Sequence, residues 1–146
     1  MSYAIETAQR DTRAVLEPVI AAAWLALGYG ADTIEWPNTY FQKPGNGPWI
    51  RVTYPQVATF AYTWSAGIVQ NITQVILSIQ IFAPRNAGDA VLIAASDAFR
   101  ATFERRSYGQ GIRFKEALGP NETAFEPQWA GRHLSFPFEY FEDITQ

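Results

Sequence analysis

The sequence predicts an α+β fold, a two-layer sandwich in which helices pack on one face of a largely antiparallel sheet. Three observations predict it. An Ala-rich opening segment runs to Gly28 with helical spacing of its apolar residues, and a second helical period spans residues 91–103. Between and after them the period drops to two, most clearly at Val75, Leu77, Ile79 and Ile81 and again at Leu134, Phe136, Phe138 and Tyr140. The order helix, three or four strands, helix, strands suits that architecture. The 146 residues suffice for one domain, 1–146, with one ordinary core.

The first helix is expected over residues 2–27, with Ile5, Ala8, Thr12, Val15 and Leu16 near one side. Pro18 lacks a backbone donor and clashes with the preceding turn, so a kink or a second helix opening there is expected. Gly28 and Gly30 end the segment. A short extended piece over 33–36 leads to a loop over 38–48 that holds Pro44, Gly45, Asn46 and Gly47. A strand follows over 49–54, with Ile50, Val52 and Tyr54 facing one way and Arg51 and Thr53 the other. Then comes a long hairpin: 57–64 with Phe60, Tyr62 and Trp64, a turn at Ser65-Ala66-Gly67, and a return through 68–82. Pro84 stops it; Asn86, with Asp89 three residues on, is the expected cap of the second helix, whose face reads Val91, Ala94, Ala95, Ala98, Phe99, Thr102 and Phe103. A short strand is expected over 112–115, and Pro137 marks the last strand as an edge or a bulge.

Composition narrows the function. Apolar residues make up 48% and aromatics 15%, enough to offset ordering entropy and to leave some rings for a partner. Eleven basic against fourteen acidic residues, with no Lys or Arg run, argues against sequence-specific nucleic-acid binding, which draws affinity from phosphate neutralisation. Without cysteine there is no disulfide, thiolate metal site or Cys nucleophile. The opening residues lack a basic segment followed by an apolar block, and the most apolar stretch, 19–27, is well short of the roughly 20 residues that span a bilayer, so no membrane partner is expected.

No residue pattern assembles a reaction, and the chain is expected not to be an enzyme. His133, the only histidine, reads as an outward strand residue with no local partner to orient it as a base. Gly45-Asn46-Gly47 and Gly109-Gln110-Gly111 do not open helices after buried strands, so they read as turns rather than phosphate cradles. Glu139, Glu142 and Asp143 read as a solvated acidic end rather than a metal site. No cofactor or metal is expected. Arg105-Arg106 complements the second helix's dipole in the plain reading and docks an acidic partner in the sharper one.

Three segments carry a family resemblance. Glu35-Trp36-Pro37-Asn38-Thr39-Tyr40-Phe41-Gln42-Lys43-Pro44 is followed by Gly45-Asn46-Gly47-Pro48-Trp49-Ile50-Arg51-Val52; Leu77 to Pro84 precedes Gly88 and an Ala-rich helix; and Trp129-Ala130-Gly131-Arg132 leads into a closing strand at Phe138. In this order they resemble the phage tail terminator-like family over about half the chain. The resemblance implies a structural protein of long-tailed bacteriophages that forms a homo-oligomeric, hexameric ring at the head-proximal end of the tail. Such a ring caps the tube, stops its polymerisation and presents a surface for head–tail joining. The implied partners are further copies, the tail tube protein and the head–tail connector or neck protein, with DNA free to pass through the ring. The implied location is the virion, after assembly in the host cytoplasm.

A ring needs two different patches that meet heterologously. The exposed sheet edge near Pro137 or in the long hairpin supplies a candidate by strand addition. The candidate interface residues are Tyr40, Phe41, Phe60, Tyr62, Trp64, Arg105 and Arg106. Trp36 and Trp49 plug the core end in one reading and anchor the interface in the other. Two rival readings are a cone-like domain similar to nuclear-transport-factor-2-like proteins, with a closed ligand pocket, and another neck or connector ring subunit.

Overall fold

The computed structural model describes the backbone of residues 2–37, 39–45, 47–65, 68–85, 89–109, 111–123 and 128–145, and the side chains of that set outside 2–11, 56–71, 122–127 and 141–145. Over the described residues it is a mixed α+β fold of two α-helices and a seven-stranded sheet. The order is α1 (Ser2–Ala26), a 3-10 turn (Ala31–Thr33), β1 (Ile34–Glu35), β2 (Trp49–Ser65), β3 (Ile68–Pro84), α2 (Ala90–Phe103), β4 (Ser107–Tyr108), β5 (Ile112–Phe114), β6 (Leu118–Thr123) and β7 (Trp129–Thr145). The sheet runs β1-β2-β3-β7-β5-β4, with β6 also on β7. The β1–β2 pair is parallel and the rest are antiparallel.

Helix α1 runs through Pro18 as one element, against the expected second helix. An interior proline costs about 3 kcal/mol. Here Leu16, Ile20 and Trp24, four residues apart, are all fully buried, and each side chain so buried stabilises by roughly 1.5–3 kcal/mol. The stripe outweighs the break, and Pro18 sits on the exposed side. Trp24 Nε1 donates to Thr33 Oγ1 at 2.7 Å, tying the helix end to the turn before β1.

The expected pair of strands over 49–54 and 57–64 is one strand, β2, with a bulge between Thr53 and Gln56. Tyr54 and Pro55 together oppose Leu77, and Pro55, which cannot donate to a ladder, sits at the irregularity. The extra residue inverts the phase. Ile50 and Val52 face the helices before the bulge, whereas afterwards it is Val57 that pairs with the helix-facing Val75. Tyr54 lies beneath α1; burial, with Glu17 adding to it, raises its phenol well above the ordinary value.

On the helix side, Val75, Leu77, Ile79, Ile81, Leu134, Phe136 and Phe138 join Leu16, Ile20, Trp24, Leu92, Phe99 and Phe103 in one core. The alternation expected along β3 and β7 is the alternation found. Strand β7, however, is interior rather than an edge between Gly131 and Tyr140: it pairs with β3 without a break from Ile68↔Thr145 to Pro84↔Trp129 and carries β6 and β5 on its other side. Pro137 is tolerated because its missing donor falls on the other side, in the gap between Ser135, where the pairing with β6 stops, and Phe138, where the pairing with β5 starts. Its carbonyl, pointing the same way, accepts from Lys115 N at 2.9 Å.

Helix α2 starts one residue after Asp89, which occupies the cap position without a side-chain cap bond; the expected cap, Asn86, lies outside the described residues. Its buried face is Leu92, Ala95, Ser96, Phe99 and Phe103, so Ala94 points outward instead of Leu92.

Candidate assembly surfaces

The sheet's other face is built differently. Beside β1 and the loop, Trp49, Phe82 and Trp129 form a second buried cluster with Phe41 packed against it. Trp49 stacks on Phe82 at 4.3 Å between centroids and meets Trp129 edge-on at 6.1 Å. The Arg51 guanidinium lies 5.3 Å from the Trp49 ring and 5.5 Å from Phe82, and the Lys43 ammonium 5.5 Å from Trp49. Arg51 also donates to Glu35 across the parallel β1–β2 pair at 3.1 Å. Trp49 is therefore core, while Trp36 is half-buried against the helix-side core.

Further along this face, His133 is half-buried rather than outward in solvent. Its Nε2 lies 2.6 Å from Oγ of buried Ser78 on the adjacent strand and 3.5 Å from Ser135 Oγ. Desolvation holds its pKa below the usual histidine value. Among the described residues the ring's hydrogen bonds go to hydroxyls and none to a carboxylate. Ser78 is 55 positions away in sequence, so no local pattern could have found it.

The seven sequence-selected residues fall in three places. Tyr40 is 94% exposed, whereas Phe41 is turned in, with its ring 5.4 Å from Trp49. Both line an open cleft of about 670 Å³ with Asp32, Trp36 and Lys43. Phe60, Tyr62 and Trp64 lie on the far half of β2, in register with Ile72, Gln70 and their neighbours; their side chains are outside the described set. Arg105 lies beyond the end of α2 with a positive φ of 57°. It pairs with Glu116, and its N–H donates to the Lys115 carbonyl. Glu104 next to it accepts from Ala117 N at 2.9 Å, so this corner clasps the helix end to the segment after β5. Arg106 is exposed. The structure does not bring these three groups into one site.

Sequence reasoning passed over the charge pattern of the β2–β3 hairpin. No charged residue occurs between Arg51 and Arg85, the whole of the hairpin after its third residue. At 17 residues each, β2, β3 and β7 are about 55 Å long. Among the described side chains, the buried helix-side residues of β3 run from Thr73 to Ala83. The backbone of the three strands continues, paired, to Ser65, Ile68 and Thr145, and this end of the sheet forms an arm. Among the described residues, no group of three or more acidic or histidine side chains is arranged to hold a metal, and no helix is long and apolar enough to cross a membrane.

No protein-family model and no curated protein matches the chain. One similar solved structure is a chain of the virion of a native gene transfer agent (GTA) particle, with a TM-score of 0.55 and 14% identity, covering 89% of this chain and 94% of that chain. A second, which carries no functional description, has a TM-score of 0.53 and 14% identity, covering 94% and 96%. At that identity the likeness is one of fold, over nearly the full length of each chain.

Proposed function

We propose that this chain is a structural subunit of a phage-like particle, a tail-terminator-like protein. Its copies close into a ring on the end of a tail tube, stop the tube's growth and offer the head side a docking surface. The fold assigned to it is a two-layer sandwich, and its role involves no reaction. The observation that carries the reading is the arm: three strands of 17 residues each, with a hairpin free of charge beyond Arg51. Solitary proteins guard exposed strand edges with charge, proline or a covering element. Among the described residues no strand pairs with the outer edge of β2 beyond Pro55, and β2 carries no charged residue there, which suits a surface that is covered on assembly. The fold it shares with a chain from a gene transfer agent virion supports a role in particle assembly.

The test is the mass of the purified protein in solution, together with electron microscopy of the protein alone and after mixing with tail tubes. Rings seated on tube ends are the expected result. A monomer that ignores tubes and instead binds a small molecule refutes the reading.

A further inference from the structure

The arm has two outer edges, and the geometry points to their joining: the end of β7 in one copy lies parallel beside the far half of β2 in the next, so that successive arms form one continuous sheet. The inference rests on the ring reading above and adds which parts of the chain meet.

Strand β2 has an outside partner only at Ile50 and Arg51, where β1 pairs. Among the described residues no strand lies along it from Val52 to Ser65. The outer edge of β7 is occupied by β6 between Gly131 and Ser135 and by β5 between Phe138 and Tyr140. Among the described residues, 141–145 of β7 pair only with β3. Two rows of backbone donors and acceptors thus face outward at the same end of the molecule. What recognises such a row is another extended strand.

Symmetry and charge choose the strand. Because β2 and β7 are both antiparallel to β3, they run in the same direction. Register through β3 puts Phe60, Ile72 and Phe141 on one level and Tyr62, Gln70 and Asp143 on another. A rotation about an axis along the strands keeps direction and level, and so brings residues 141–145 beside residues 60–65 of the next copy. A two-fold axis instead pairs like with like. Pairing β7 with β7 sets Glu142 and Asp143 against their own copies, and like charges across a ladder are destabilising. Pairing β2 with β2 leaves 141–145 open and stops at two copies. Only the acidic strand beside the charge-free one occupies both edges, avoids the repulsion and repeats around a ring.

The absence of cysteine makes this directly testable. Ala61→Cys is combined in turn with Glu142→Cys, Asp143→Cys and Ile144→Cys. Within one chain these positions are separated by β3, two strand spacings or roughly 9.5 Å, beyond the ~7 Å that a disulfide tolerates between Cα atoms. Any bond formed on mild oxidation therefore joins two copies. At least one pair is expected to give a ladder of covalent oligomers that neither single-cysteine variant gives. Covalent dimers from Ala61→Cys alone indicate β2 against β2 and overturn the inference. Oligomers by mass with no cross-link in any pair overturn it too, while leaving the ring reading standing; a monomer at every concentration overturns the ring reading itself. In the unmodified protein, amide hydrogen exchange over 56–65 and 141–145 should slow about tenfold or more on assembly. If those amides stay fast in the assembled protein, the edges do not meet, whatever the variants do.

Discussion

Trp49 offers the sharpest check on the packing described above. Its side chain is fully buried and stacked on Phe82, edge-on to Trp129, covered by Phe41 and flanked by Arg51 and Lys43. Its indole Nε1 is nevertheless buried with no hydrogen-bond partner among the described residues. Truncating a buried Trp to Ala costs roughly 3–5 kcal/mol in lost transfer energy and cavity, and two lost cation–π contacts add about 0.5–1 kcal/mol each. An unpaired buried N–H carries a penalty of about 1–3 kcal/mol, which any apolar replacement relieves. For Trp49→Ala the sum is a loss of roughly 3–4 kcal/mol. Trp49→Phe keeps a ring on Phe82 and also loses the orphan donor, so its smaller volume loss is offset to within about 1 kcal/mol of neutral. Urea unfolding of the wild type and both variants, followed by circular dichroism, measures the difference. Should Trp49→Phe cost as much as Trp49→Ala, the indole N–H has a partner and the account of this cluster is wrong.

Other expectations follow the same logic. Pro18→Ala restores a backbone donor on the exposed side of α1 and is expected to stabilise by about 1–3 kcal/mol, raising the unfolding midpoint in urea; a loss of stability instead would mean that the proline ring itself contributes to packing. Desolvation lowers the folded-state pKa of His133 below 6.5, so the unfolded chain binds the proton more readily. The stability this group contributes is complete above about pH 6.5 and declines as pH falls through that value toward the folded pKa. A His133→Gln variant should flatten the curve of unfolding free energy between pH 7.5 and 5.5, and an unchanged slope would contradict the desolvation of the ring. Tyr40→Ala removes a side chain that is 94% exposed. Its unfolding free energy should stay within about 0.5 kcal/mol of wild type, while the solution mass of the assembled protein falls if Tyr40 touches a neighbour.

The elements with one clear period were legible in the sequence, and those governed by distant partners were not. Along the middle of β3 every second residue is apolar because one face packs on the helices while the other holds the polar residues Gln74, Ser78 and Gln80, and the same rule reveals the first half of β2 and the body of β7. The join at Tyr54-Pro55 defeats that rule, since a bulge looks in sequence like the end of one strand and the start of another. Pro137 misleads in the opposite way. Proline suggests an edge, and what resolves the conflict is a gap between two short strands 14 or more residues upstream, which no local window contains. Strands β4 and β6, at two and six residues, have too little alternation to read. Of the candidate surfaces, the exposure of Tyr40 matches its place in a loop rich in Pro and Gly. Phe41 turns inward because Trp49 and Phe82 offer a ring-lined bed, and His133 finds Ser78 only through strand pairing.

The extra residue in β2 carries a consequence for comparing this chain with its relatives. A hairpin that lacks it must move its apolar and polar positions by one place beyond residue 53 to keep the same surfaces on the same sides. Two such proteins aligned letter by letter would seem to have exchanged inside for outside along the whole arm. Matching them by sheet side, with a one-residue gap opposite Leu77, recovers their correspondence.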